Sequence, residues 1–270
     1  MSSLPAFDRP KESITWARDA IQELDADFTN FFKPKPTGPI TYGKKVYGKV
    51  VDIDPETGHE LHKFKVFERL PSVLSRRTTE ALIHIRESWN QAVYAACASI
   101  DKLPKRGNLH FPWRSSPTDL NATLKHGPIP AELWDVIRRE EPYPTGNGYD
   151  GGDDHIKEIS KLANDKHTIG LTATARVISY THPTIHGAIS FVSIPAPKWD
   201  SVNNEMVMAV VSPGTNVEHN YEVQLQVGLD VPGPLRDVPA IGILNAFADR
   251  AEAFTKSIEA ECMRISGPQH

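Results

Sequence analysis

The chain has 270 residues, a formal charge of −4, and 39% hydrophobic against 24% charged residues. That is enough for one large or two modest domains whose core needs no staples. The acidic balance gives no overall electrostatic footprint for nucleic acid, and no run approaches the roughly 18 apolar residues of a membrane span.

The opening MSSLPAFDRPKES lacks the basic, apolar and small-residue order of a signal peptide, so a cytoplasmic protein with no membrane partner is expected. Cys97 and Cys262 each lie in a helical pattern and read as small buried groups of a reducing compartment. Along residues 11–32, Ile14, Ala17, Ile21, Leu24 and Phe28 recur at near-heptad spacing, which predicts an amphipathic helix stopped by KPKPTGP at 33–39. Between 40 and 70 the period changes to two, and DPETGHE separates two apolar-rich runs, so a β-hairpin is predicted. Its lysines are read as outward-facing protection of an edge.

Residues 72–101 give the strongest helical signal, with Leu74, Ala81, Leu82, Ile85, Trp89, Ala92, Val93 and Ala96 on one stripe. After Pro104 the connector KRGNLHFPWRSSPTDL is turn-rich, and Phe111 and Trp113 are read as its anchors; aromatics of this kind also serve as stacking platforms for bases. Short helices are predicted at 118–125 and 130–141. The glycine- and acid-rich EPYPTGNGYDGGDD then reads as a mobile linker, because it has neither the acid spacing of a calcium loop nor the end of a P-loop. A helix follows from Asp153 or Asp154, its stripe formed by Ile156, Ile159, Leu162 and Ala163, and it ends in Asn164, Asp165, Lys166 and His167.

The second half turns to strands, at 169–181, 187–195, 205–212 and 219–229, joined by turns at HPTIHG, SVNNE and SPGTN. A last helix spans about 239–265. The predicted fold is α+β: a helical core on the long helix 72–101, an N-terminal hairpin, and a C-terminal antiparallel sheet capped by a terminal helix. One domain of two lobes is expected, 1–168 mainly helical with the hairpin 40–70, and 169–270 with the sheet and last helix.

Four segments carry a resemblance: HIRESWNQA at 84–92, HFPW at 110–113, EEPY at 140–143 and LANDKHTIGL at 162–171. In this order they resemble a widespread group of uncharacterised bacterial proteins with a central LRSALDHL-type helix, an FP loop, a QPY segment and a helix ending in N-x-DKHR. The resemblance covers about the middle 100 residues and implies no activity. In that group's helix an Arg is followed by Asp and His, a spacing similar to the Arg and His of HEPN ribonucleases. Here Arg86 is followed by Asn90 and Gln91, whose amides cannot act as acid or base at neutral pH, so RNA cleavage by that route is closed.

No cofactor is predicted, since the chain has no glycine-rich dinucleotide loop and no nucleophile elbow. No metal is predicted either: HIKE at 155–158 and HPTIH at 182–186 offer only partial ligand sets. The candidate site residues are Arg86, Asn164, Asp165 and His167. Consecutive helical residues point about 100° apart, so the NDKH side chains cannot all converge on one ligand. The structural expectation is an Arg86–Asp165 ion pair between packed helices, with His167 beneath the following strand. Two functional classes stay open. One is a binding or interaction module, a homo-oligomer through a sheet edge or long helix included; the other is a hydrolase or nucleotide- or RNA-acting enzyme with a polar pocket around Arg86 and the NDKH segment.

Overall fold

A computed structural model describes residues 4–33, 46–104, 109–146, 148–165, 173–187, 191–196, 198–200, 202–219, 223–229, 235 and 238–267. The fold is α+β, as the two periodicities predict. It contains helices α1 (Asp8–Phe32), α2 (Ser72–Ser99), α3 (Pro117–His126), α4 (Trp134–Arg138), α5 (Asp154–Asp165) and α6 (Ala240–Ser266). The strands are β1 (Tyr47–Ile53), β2 (Glu60–Val66), β3 (Ala173–Tyr180), β4 (Thr184–His186), β5 (Val192–Ser193), β6 (Glu205–Val211), β7 (Asn216–Glu218) and β8 (Val223–Leu229). Among the described residues no helix is long and apolar enough to cross a membrane.

Two compact units divide the chain, and they are not consecutive lobes. One comprises Met1–Glu23, Arg76–Leu171 and Ile241–His270; the other comprises Leu24–Ser75 and Thr172–Ala240. The hairpin groups with the later strands rather than with the first helices because β2 pairs with β6. The last helix, drawn from sequence as a cap on the sheet, falls in the helical unit.

In the helical unit the α2 stripe is the spine: Ala81, Leu82, Ile85, Trp89, Ala92, Val93 and Ala96 are all inaccessible to solvent. Trp89 stacks on Phe254 of α6, with ring centres 4.5 Å apart and planes 11° from parallel. Such offset aromatic pairs contribute about 0.5–1.5 kcal/mol beyond the area they bury. Polar side chains tie the first turns of α1 to α6. Glu259 accepts from the Leu4 N–H at 2.9 Å and pairs with Lys11, and Arg18 reaches both Asp249 and Glu252. Cys97 and Cys262 are free and buried; burial pushes their thiols up to about 11 and about 12, so neither is a reactive thiolate at neutral pH.

Helix α5 forms as its sequence predicts. Asp153 accepts the Ile156 N–H at 3.0 Å as the N-cap and also pairs with Arg250. The stripe Ile156, Ile159, Leu162 and Ala163 is buried. The helix predicted at 130–141 is shorter, a single 3-10 turn followed by α4, which ends at Arg138.

The preceding glycine-rich loop differs from the mobile linker read from sequence. Glu141 accepts the Gly152 N–H through its carboxylate, Asp154 accepts from both the backbone and hydroxyl of Thr145, and the Tyr149 hydroxyl lies 2.8 Å from the Pro144 carbonyl. The glycines let the backbone turn tightly enough for these bonds, with Gly151 and Gly152 at positive φ.

The other unit is strand-rich. β1, β2, β6 and β5 form one antiparallel sheet in the order β1-β2-β6-β5, while β3 pairs only with β8 and β4 only with β7 among the described residues. The strands expected as a single C-terminal sheet are therefore distributed, among the described residues, over three antiparallel sheets, one of which includes the hairpin. β4 lies in the predicted HPTIHG turn and β7 begins within SPGTN; three-residue strands leave no alternation long enough to read. The hairpin turn is as predicted, with Asp54 accepting from Glu56 and Thr57 and Gly58 at φ 71°.

Phe64, Val66, Met206 and Met208 make the core, against which Trp199, Val177, Val223 and Leu225 pack. The hairpin lysines are not simply outward-facing. Lys63 lies 2.8 Å from Asp52 and 2.7 Å from Glu205, and Lys65 lies 2.8 Å from the other Glu205 oxygen.

Candidate functional site

The helical unit contains a cleft of about 550 Å³, inside the size range of small-molecule sites. One wall is α2. Ile83, Arg86, Glu87 and Asn90 line it, and their i, i+3, i+4, i+7 spacing puts them on one helical face beside the buried stripe. The facing wall is the HFPWR segment, His110 to Arg114, completed by Thr123 of α3 and by Gly127, Pro128 and Ile129 after it.

Local chemistry fixes that second wall. The Asn90 carboxamide oxygen accepts the Phe111 N–H at 2.9 Å. Phe111 itself is 1% exposed, with its ring 4.5 Å from Trp89, 4.7 Å from Trp113 and 5.0 Å from Phe254. The two aromatics read from sequence are thus anchors. Arg114 donates its backbone N–H to the Pro142 carbonyl of the EEPY segment, which brings three of the four resemblance segments together. Helix α3 is begun by Ser116, whose hydroxyl accepts the Asp119 N–H, with a proline at its first turn. Beyond it, the Trp134 indole donates to the Ile129 carbonyl at 2.9 Å.

Its donors are unevenly satisfied. Arg114 is engaged, its Nε with the Thr123 hydroxyl at 2.5 Å and its Nη1 with the Trp113 carbonyl at 2.7 Å. Arg86 is half-buried, and its Nε is buried with no acceptor among the described residues. The indole nitrogens of Trp113 and of neighbouring Trp89 are likewise buried without an acceptor. Three N–H groups in and behind one cleft therefore lack partners, where buried donors nearly always have one. Glu87 and His110 are exposed on the rim.

Of the residues proposed from sequence, the structure places Arg86 in the cleft. Asn164 is exposed on the last turn of α5 and is not among the lining residues. The side chain of Asp165, and all of Lys166 and His167, lie outside the described residues, and so does the expected Arg86–Asp165 pair. Sequence reasoning did not single out Asn90 as a wall-fixing residue, nor Glu87, His110, Arg114 or Thr123. The i+4 neighbour of Arg86, Asn90, and the basic residue directly after Trp113 were the available signals. Gln91, the second amide after Arg86, accepts from the buried Ser13 hydroxyl at 2.8 Å, a structural use.

In the strand-rich unit a groove of about 310 Å³ is lined by Phe28, Phe32, Tyr47, Phe64 and neighbours, with Lys33 as the one charged lining residue among the described residues. Among the described residues no group of three or more His, Cys, Asp or Glu is placed to hold a metal. In comparisons with family models, curated proteins and solved structures, nothing matches the chain.

Proposed function

We propose that the protein is a binding module whose α2 cleft takes a small anionic molecule, with Arg86 as the charged anchor. The observation that carries this reading is the unsatisfied Arg86 Nε in the wall of a ligand-sized cleft. Among the described residues no acceptor meets this buried N–H, which is costly in a partly desolvated wall, and an anion at the guanidinium supplies one. A cytoplasmic, reducing setting belongs to the same proposal, because both thiols are free and buried.

The test is thermal denaturation in the presence of a panel of carboxylates and phosphates, for the native chain and for Arg86→Met. Anions that bind raise Tm of the native protein in a concentration-dependent way and leave the variant unmoved. If no anion stabilises the native protein, or the variant responds equally, the reading fails.

The rim also carries a carboxylate and an imidazole, Glu87 and His110. These are the groups that a hydrolytic use of the cleft would draw on. Turnover of a bound ester or phosphoester, lost in Glu87→Gln or His110→Ala, would move the protein from binding module to enzyme.

A further inference from the structure

Resting on that reading, we infer that the cleft selects a ring-bearing monocarboxylate: Arg86 takes the carboxylate and the ring lies among the apolar walls. The first argument is charge. The lining carries two guanidiniums and one carboxylate, but Arg114 has two of its donors engaged with Thr123 and Trp113. Together the described lining residues carry one net positive charge, which matches a single negative charge. A phosphate dianion would bring a second negative charge that the described lining does not balance, and Glu87 would repel it.

The second argument is shape. A guanidinium presents a planar fork of N–H groups that matches the two oxygens of a carboxylate. Beside the polar Asn90, His110 and Thr123, the apolar part of the lining is made by Ile83, Phe111, Pro112, Trp113, Pro128 and Ile129. Proline rings and an indole held by packing offer flat surfaces that cost little entropy to order, which suits a ring more than a flexible chain. The volume, about 550 Å³, is too large for acetate to fill.

The experiment is isothermal titration of the full chain with indole-3-acetate, benzoate, cyclohexanecarboxylate, acetate, inorganic phosphate and AMP. Indole-3-acetate and benzoate are expected to bind at least roughly tenfold more tightly than acetate, phosphate or AMP. Arg86→Lys, which keeps the charge and loses the fork, should weaken the ring acids roughly fivefold or more. Glu87→Gln, an exposed change that leaves the core untouched, should raise phosphate and AMP affinity relative to the ring acids.

Tighter binding of phosphate or AMP than of the ring acids, lost in Arg86→Lys, overturns the monocarboxylate class while leaving the anion-binding reading intact. An unaltered preference in Glu87→Gln also overturns the class. Absence of binding by every probe overturns the anion-binding reading itself.

Discussion

Asn90 holds the Phe111 N–H at 2.9 Å, one helical turn along α2 from Arg86, so one face of one helix supplies both the charged group of the cleft and the bond that fixes its opposite wall. Here an amide serves as a clasp.

Replacing Asn90 by alanine strands the Phe111 N–H without an acceptor and is expected to cost about 1–3 kcal/mol of stability. Asn90→Asp keeps an acceptor oxygen and should cost clearly less at neutral pH. Urea denaturation of the two variants checks the order; equal losses would show that the bond contributes little.

In the strand-rich unit Glu205 receives Lys63 and Lys65 on its two oxygens. Burial alone would raise the Glu205 carboxyl, but its hydrogen bonds with the two lysines outweigh that and hold it below the usual carboxylate value. Lys63, which burial alone would lower, is raised by Asp52 and Glu205. A depressed carboxylate contributes stability that is present above its unfolded pKa and is lost as pH falls through the folded one. Glu205→Gln is therefore expected to cost on the order of 3 kcal/mol at pH 7, with the difference from the native protein shrinking in acid below the ordinary value of 4.5. Denaturation midpoints across that range check the sign.

His62 is 4% exposed, and its Nδ1 lies 2.9 Å from His219 Nε2, a hydrogen bond between the two imidazoles. Burial first, then the fields of His62 and Lys49, lower the His219 pKa below 6.5. Its neutral form is favoured by folding; this stability is complete above 6.5 and lost as pH falls below it. The other ring nitrogen of His62 faces Glu60 at 3.4 Å, close enough for attraction but without hydrogen-bond geometry. His219→Gln, which can still donate to or accept from His62, should flatten the fall in stability below pH 6.5. A variant that keeps the native slope would assign that slope to other groups.

The legible parts of the fold were those with local causes. The α2 stripe, the Asp153 cap and the DPETG turn each need only neighbours in sequence, and each forms where its residues predict. The strand pairings beyond the hairpin were not legible, because β2 must find β6 and β3 must find β8 across long separations, and alternation along a strand does not name its partner. The cleft was half legible. Arg86 and the aromatics of HFPW stood out singly, but what joins them is an amide that sequence reading valued only as a missing acid. The NDKH segment drew notice by crowding four functional groups together, yet Asn164 faces solvent, as the 100° step between helical neighbours allows.

The most direct measurement is a nitrogen-15 NMR titration with benzoate, following the Arg86 Nε–H and the indole N–H signals of the five tryptophans. The Arg86 and Trp113 signals are predicted to shift together and saturate while those of Trp16 and Trp199 stay in place, and Arg86→Lys should abolish the response. Arg86 and Trp113 signals that stay fixed up to saturating benzoate, or that drift no more than those of Trp16 and Trp199, would contradict the account.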